Sequence, residues 1–598
     1  MTIAALKKVT LVGQIKDKKK ILRELQCIGC MHLVSLRLAL VEVEKIISPR
    51  AVATHEAMKF LSEVPQRRYQ IMRSPTFNVE KFVKTIEELK EAIRNANEER
   101  GFLKKRISDL EPWGDINFPP CERLAGYRLW FYVLPLRKLA TLNDLEHPWQ
   151  IVEQSHRNAY VVLLSTMEPD ADALPVDRTH TGSLPLSELT NQLEEVEVKI
   201  EDLRAQRHAM TRFIHLLDVN LAEAENQASL ASAEQQTLDS DTLVTLQGWV
   251  PSHAIDSVEA YATKAGLACL VEEPAPDENP PTLVEQPDNL RAGVDLTLFY
   301  QIPSYRSWDP TAMLLISFSL FFAMILADGG YGLVILLGLL LFWNRMDQSA
   351  AGRSYRLLGL ALAGSSIIYG ALIGSYFGLS PEKGALLGHI KILDIHDFDT
   401  MMKVSVICGV LHLCIANGMN AYSRRNQLVA LSNVGWIVAL VGGLLLWLFD
   451  PDTTENANAI LLTIFGLVLV FLFSSERPIK RKADILKRLL DGLGSLASVM
   501  GAFGDVLSYM RLFALGLAGA SLAITFNDLA ASVYSALPGV GVFASILILA
   551  VGHLMNFGLA IMSGVVHGLR LNYIEFYKWG LPEEGTLFQR FARKETEL

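Results

Sequence analysis

Cysteine is scarce in this chain: six in 598 residues, with no spacing that implies a disulfide framework. Cys27 and Cys30 form a lone CIGC with no second pair. The flanking LRELQ and MHLVSL read as a helix running into a strand, so ordinary packing is expected, not zinc or thiol exchange. Cys408 and Cys414 lie in apolar sequence, where burial is the expectation. Also missing are a GxxxxGK[ST] phosphate loop, an HExxH and a GxSxG. Hydrolysis by this chain alone is therefore not expected, nor is a cofactor. Positive charge is not in excess, since 55 Lys and Arg face 64 Asp and Glu for a net −9, which argues against a nucleic-acid partner. The opening MTIAALKKVTLVGQIKDKKK has no apolar stretch followed by a cleavage site, so no signal peptide is expected.

What is present is divided sharply. Residues 1 to about 300 are charged and mixed, whereas from Thr311 onward long apolar runs follow one another. The division predicts a soluble domain over 1–300 and an all-α membrane domain over 301–598. Eight spans are expected, near 311–326, 331–344, 355–377, 401–420, 429–449, 459–474, 493–527 and 540–574. The first two are short and joined by the turn-like Asp328-Gly329-Gly330-Tyr331-Gly332, so one kinked element is the alternative. Loop charge favours eight. Basic clusters follow the second span (Arg345, Arg353, Arg356), the fourth (Arg424, Arg425), the sixth (Arg477, Lys480, Arg481, Lys482) and the eighth (Lys578, Arg590, Arg593). With eight spans all lie on one side, the cytoplasmic one, together with both termini.

The segment from Leu493 to Phe526 carries only two charges, Asp505 and Arg511. An arginine deep in a membrane helix costs at least about 2.5–3.5 kcal/mol and cannot escape by deprotonating, so a function with an anionic partner is the default reading. A run of about 34 residues makes a helix of ~50 Å against a hydrocarbon core of ~30 Å, so the last two spans are expected to be long and tilted. Such helices leave wedges of space on either side that admit water part-way. In the last span His553, Asn556, Ser563, His567 and Arg570, with Ala560 filling the missing step, follow 3-4-3-4-3 spacing and share one face. Ser508 and Arg511 share a face of the preceding span. The alternative is that these groups only bond neighbouring helices, or that Arg570 snorkels. No metal site is expected, because His553 and His567 stand about 21 Å apart along a helix.

The soluble part shows two heptad segments. One runs from Val79 to Leu110 with a gap at Arg100, the other from Leu189 to Leu221 with a gap at Arg207. They predict coiled-coil arms over 46–111 and 185–235, made antiparallel by a distal α/β lobe over 112–184. Strand-like runs there are YRLWFYVL, WQIVEQ and AYVVLLS. A proximal α/β lobe is expected from 1–45 with 240–300, built on VTLVGQI, CMHLVSL, TLVTLQGWV and LACLVEE. Both lobes have an apolar strand ending in proline, Pro135 and Pro251, which suggests a weak internal duplication. The fold class expected is thus an α/β dumb-bell, two lobes joined by a long antiparallel coiled coil, plus eight transmembrane helices.

Several stretches, in order, resemble subunit I of the V/A-type rotary ATPases, the relative of the eukaryotic vacuolar ATPase subunit a. They are LEPWGDI, GWVP, PSYRSWDPT, SFSLFFAMILADGGYGL, YGALIGSYFG, SYMRLFALGLAGASLA and VHGLRLNYIEFY. The resemblance implies a stator of an ATPase or ATP synthase membrane sector, carrying H+ or Na+ in a bacterial or archaeal plasma membrane. Its soluble part would be cytoplasmic and would dock peripheral-stalk subunits and the central-stalk base. Its last two helices would pack against a rotating ring of small membrane subunits, each with a carboxylate. Arg511 looks like the arginine that faces those carboxylates, and Arg570 like a supporting one. Asp505, Ser508, His553, Asn556, Ser563, His567 and Glu575 are candidates to line the two aqueous wedges. A stand-alone secondary transporter with a coiled-coil regulatory domain would also explain intramembrane charge. It predicts broken helices paired in repeated halves, and no convincing pair is found. A plain membrane anchor for a scaffold is a third reading.

Overall fold

The computed structural model describes residues 3–36, 49–75, 77–116, 126–145, 147–169, 174–182, 184–287, 290–381, 386–395, 397–477, 482–536 and 539–594. The basic positions Lys480 and Arg481 lie outside the described residues. The chain divides into two compact units. One comprises Met1–Ile15, Cys30–Val34 and Leu238–Phe591, and the other Lys16–Gly29, Ser35–Thr237 and Ala592–Leu598. Up to residue 300 the elements are β1 (Leu6–Gln14), α1 (Lys18–Ile28), β2 (His32–Val34), α2 (Pro49–Ser62), α3 (Val79–Leu110), β3 (Arg128–Pro135), β4 (Trp149–Gln154), β5 (Asn158–Ser165), α4 (Leu186–Met210), α5 (Ile214–Gln236), β6 (Leu238–Asp239), β7 (Leu243–Pro251), α6 (Ile255–Ala265), β8 (Ala268–Glu272) and α7 (Arg291–Tyr300).

In the first unit an antiparallel sheet has the order β2-β7-β1-β8, with β6 added to β7. β1 pairs with β7 from Leu6↔Pro251 to Gln14↔Leu243. Val9 and Leu11 are buried along β1, as are Val244, Leu246 and Val250 along β7. This is the period-two pattern of a covered face, while Leu6 and Trp249, of the other parity, are buried with Phe588 on the opposite face. α6 presents the buried Ile255, Val258 and Ala262 and stops at Gly266, whose φ of 66° only glycine adopts without strain. Lys8 pairs with Glu278 across this region. The Lys8 ammonium, and after it the Ala275 N–H, hold the Glu278 carboxyl below the usual range.

In the second unit α3 and α4 run antiparallel. Lys104 pairs with Glu197 at 2.8 Å, and the Ser187 N–H donates to Asp115 at 3.0 Å. The seam buries Ala96, Leu103 and Leu110 against Leu189, Val196 and Ile200. Further along, Val79, Val83 and Ile86 meet Ile214 and Leu217, joined by Ala57 and Leu61 of α2. The second heptad segment is not one helix, because a 3-10 turn at Thr211–Phe213 separates α4 from α5. The cause is competition for Thr211: its hydroxyl accepts from the Arg68 N–H at 3.0 Å and its carbonyl from Gln70 at 2.9 Å. The heptad gap at Arg207 has a similar origin. Its guanidinium donates to the Phe60 carbonyl, pairs with Glu63 at 3.0 Å and lies 4.0 Å over the Phe60 ring. A third helix has replaced the seam there. The sheet β3-β5-β4 is two-faced: Trp130, Tyr132, Leu134, Val161 and Leu163 form one cluster, while Phe131 joins Trp113 and the α3–α4 seam on the other.

From Thr311 the elements are helical: α8 (Thr311–Leu326), α9 (Gly329–Leu341), α10 (Trp343–Met346), α11 (Ala350–Ile373), α12 (Leu386–Ile390), α13 (Phe398–Ser423), α14 (Ala430–Leu448), α15 (Thr454–Phe473), α16 (Lys482–Ala497), α17 (Val499–Leu507), α18 (Met510–Ala536), α19 (Val540–Arg570) and α20 (Tyr577–Gly580). Among the described residues six segments are long and apolar enough to cross a membrane, and α8 and α9 are shorter apolar helices. α8 and α9 are not one kinked helix. Ser365 of α11 donates to the Ser319 carbonyl, whereas a Cβ on Gly370 would lie 2.1 Å from the Gly329 nitrogen and one on Gly359 3.1 Å from Leu339. α9 therefore descends along α11 from a turn at Ala327–Asp328. The run read as one span over 493–527 is also broken, at Ser498 and at Ser508–Tyr509, and it continues to Ala536. At the second break the bonds shorten to i−3: Tyr509 N–H to Val506 at 3.2 Å and Leu512 N–H to Tyr509 at 2.9 Å. No proline causes this. The fully buried Tyr509 ring fills the place where α13 carries Gly409, and its hydroxyl meets His412 Nδ1 at 2.8 Å.

Two outcomes follow. Gly370→Ala forces a methyl into backbone and should destabilise the α8–α9–α11 corner by about 1–3 kcal/mol, read as a lower thermal midpoint in detergent. Because the folded Glu278 carboxyl sits below its unfolded value, its contribution is present above about pH 4.3 and lost as pH falls through the lowered value. Acid unfolding should move to higher pH in Lys8→Met, monitored by far-UV circular dichroism.

Candidate functional site

α18 and α19 run antiparallel in close contact. Ser545 donates to the Ala530 carbonyl at 2.8 Å, Asn556 to the Gly519 carbonyl at 2.9 Å, and Gly552 leaves room for the Phe526 ring. Continued, this register sets Arg511 beside the Ser563–His567 turn. α19 has 31 residues, about 46 Å at 1.5 Å per residue. It is unbroken through His553, Asn556, Ser563, His567 and Arg570, so these share one side. That side is graded: Asn556 is buried, His553, Ser563 and His567 are half-buried, and Arg570 is exposed. After Arg570 the helix widens into a π-helical stretch, Leu571–Phe576, which turns Glu575 inward until it is 3% exposed.

One group gathers around Arg511. The Ser508 hydroxyl, donating to the Gly504 carbonyl at 3.1 Å, lies beside the Glu575 carboxyl. Arg511 and Arg570 are the charges acting on both Glu575 and His567. Three buried polar atoms here have no hydrogen-bond partner: Arg511 Nη1, His567 Nδ1 and Glu575 Oε2. Leaving one such atom unpaired costs about 1–3 kcal/mol, more for a charged group. Among the described residues no carboxylate lies within ion-pair distance of Arg511.

Asp505 is otherwise engaged. Its Oδ2 accepts from Lys578 at 2.7 Å and from the Trp579 indole at 2.8 Å, which ties α17 to α20. The second group lies some 16 Å further along α19, eleven residues from His567 at 1.5 Å each. There Tyr331 bonds both His553 and Asn556, at 2.9 and 3.1 Å.

No protein-family model matches the chain. Among curated proteins it is similar to the V-type ATP synthase subunit I of Borreliella burgdorferi, 25% identical with 96% of each chain covered. The V-type ATP synthase subunit I of Chlamydia muridarum is also 25% identical, over 88% of this chain and 89% of that one. The chain is thus similar to V-type subunit I proteins over most of its length. An archaeal A-type ATP synthase subunit I, from Methanocaldococcus jannaschii, is 26% identical over 69% of this chain and 64% of its own. A crystal structure of the cytoplasmic N-terminal domain of subunit I, homolog of subunit a, of V-ATPase covers 44% of this chain and 99% of that one. At 14% identity and a TM-score of 0.22 that likeness bears no weight.

The polar residues missed by sequence reasoning are as informative as those it found. Tyr331 and Asp328 were visible in DGGYG, but only as a turn. Asn527 sits at the end of an apolar run, and His412 and Tyr509 lie 97 residues apart. Only the shared polarity of otherwise apolar segments could have marked them. The Asp505 geometry predicts a structural role: Asp505→Asn and Lys578→Met should each cost about 1–3 kcal/mol, and the double variant less than their sum, in a thermal-unfolding double-mutant cycle.

Proposed function

We propose that this chain is the membrane stator of a V/A-type ATP synthase or ATPase, in which Arg511 faces carboxylates carried past it by a rotating ring of small subunits. The observation that carries the reading is the state of Arg511. It is a fixed cation in an apolar helix, with a buried Nη1 lacking an acceptor, and the neighbouring carboxylate Asp505 is engaged by Lys578 and Trp579. Its counter-ion is therefore supplied by another chain.

An ionised carboxylate cannot face hydrocarbon unaided, whereas one that holds its ion is neutral and can. Beside Arg511 the charged form is favoured, so the arriving carboxylate releases H+ or Na+ there. The same charge repels cations and blocks a direct leak between the two sides. Ser508, His567, Arg570 and Glu575 serve the wedge at Arg511, with Asp505 at its margin. His553, Asn556 and Ser563 serve the other. In this reading there are eight crossings, with α8 and α9 as a short hairpin, and the soluble part and both termini lie on the cytoplasmic side, where peripheral-stalk and central-stalk subunits dock. None of the relatives described above favours a stand-alone transporter.

In the assembled complex in proteoliposomes, Arg511→Ala should reduce ATP-driven ion uptake by more than about tenfold, the equivalent of ~1.4 kcal/mol. Arg511→Lys should retain part of it, because an ammonium supplies the charge without the guanidinium fork. Normal uptake by Arg511→Ala with normal assembly would sink the stator reading.

A further inference from the structure

Asp328 is 4% exposed, and its carboxylate accepts four hydrogen bonds: from the N–H groups of Tyr331, Phe377 and Gly378 at 3.0 Å each, and from the Ser375 hydroxyl at 2.8 Å. On either side of this cradle stand Ala327 and Phe377, with φ of 49° and 51°. Among the described residues they are the two non-glycine positions with left-handed backbone. Such strain costs about 1–3 kcal/mol per residue and persists only where surrounding contacts over-determine it. The cradle fixes the first turn of α9, and with it Tyr331, whose ring packs on Phe377 and Phe557 at 5.5 and 5.4 Å.

From the Tyr331 hydroxyl a closed circuit of hydrogen bonds runs through the two long helices. It meets His553 Nδ1 at 2.9 Å and accepts from the Asn556 amide at 3.1 Å. His553 Nε2 meets Asn527 Oδ1 at 3.0 Å, and the Asn527 amide donates to the Phe377 carbonyl at 2.9 Å. The Phe377 N–H donates to Asp328, the carboxylate that also holds the Tyr331 N–H, so the path returns to the residue it started from. The donors and acceptors assign the histidine tautomer. Asn527 uses its N–H on a carbonyl, so its oxygen faces His553 and Nε2 must carry the hydrogen. Nδ1 is then the acceptor, and the Tyr331 O–H must donate to it. A proton arriving at Nδ1 would turn the hydroxyl round, and its hydrogen would lose its acceptor. The groups facing His553 are Tyr331 from α9, the Phe377 ring at 5.9 Å, Asn527 from α18 and Asn556 from its own helix, with the Asp328 charge one residue contact behind Tyr331.

We infer that Tyr331, held by the Asp328 cradle, is a positioning residue for ion transfer: its hydroxyl fixes His553 and Asn556 on α19 against α18 and sets which nitrogen of His553 carries the proton. This rests on the stator reading above. Tyr331→Phe keeps the ring contacts and deletes the hydroxyl. In the reconstituted complex, the rate of ATP-driven uptake per assembled complex should fall roughly fivefold, the weight of one hydrogen bond, and the pH profile of uptake should be displaced. His553→Gln should lose a similar factor. The double variant should be no worse than the more impaired single, since both act through one link. An unchanged rate and pH profile in Tyr331→Phe would overturn the inference. So would a double variant losing the product of the two single factors, or a loss confined to the amount of assembled complex. Arg511→Ala run in parallel separates the two readings. If it abolishes uptake while Tyr331→Phe matches the unsubstituted complex, only the positioning role fails; if it transports normally, the stator reading fails first.

Discussion

A fixed positive charge in an apolar helix, with no carboxylate at ion-pair distance among the described residues, is the constraint on which the rest of the helical domain depends. Arg511 cannot be neutralised by deprotonation. The surrounding structure withholds a partner. Asp505, six residues earlier, is the natural candidate, and Lys578 and Trp579 take it instead. Glu575 is brought inward by the π-helical stretch but keeps one oxygen unpaired. The price of this arrangement is local, and it is offset by packing of small residues against rings and backbone elsewhere: Gly409 against Tyr509, Gly552 against Phe526, Gly564 against Phe322.

The polar face of α19 does two different things along its length. Near Arg511 its groups are exposed or carry unpaired polar atoms. Near His553 and Asn556 every donor meets an acceptor, and the helices are held in a defined register by Tyr331 and Asn527. A single stripe at helical spacing therefore combines an unpaired end with a fully bonded, rigid end. The rigid end is tied to strained backbone at Ala327 and Phe377, outside both long helices.

Much of this was legible in the sequence where the signal is local or periodic. The apolar runs, the heptads, the strands ending at Pro135 and Pro251, the shared face of α19 and the singular Arg511 all follow from spacing and charge. What was not legible depends on partners far apart in the chain. The heptad gap at Arg207 is explained by Phe60 and Glu63, well over a hundred residues earlier. The break in the second arm comes from Arg68 and Gln70 competing for Thr211, and the break before Arg511 from a tyrosine seated on α13. Periodicity reports which face of an element is covered, not what covers it, so a continuous apolar pattern hides a break in the backbone. DGGYG showed its glycines and concealed the destination of its aspartate and tyrosine.

The turn at Ser508–Tyr509 also has a mechanical meaning. Arg511 is not carried at the middle of one long, springy rod; it stands two residues beyond a plug. The Tyr509 ring is seated against Gly409, and its hydroxyl is bonded to His412, which is itself stacked on Phe576 at 4.2 Å. A sideways push delivered to the guanidinium is thus received by α13 and the end of the chain's last long helix, and does not bend α18 along its length. The charge is thus backed by the packed ring of Tyr509 and not by the free length of α18.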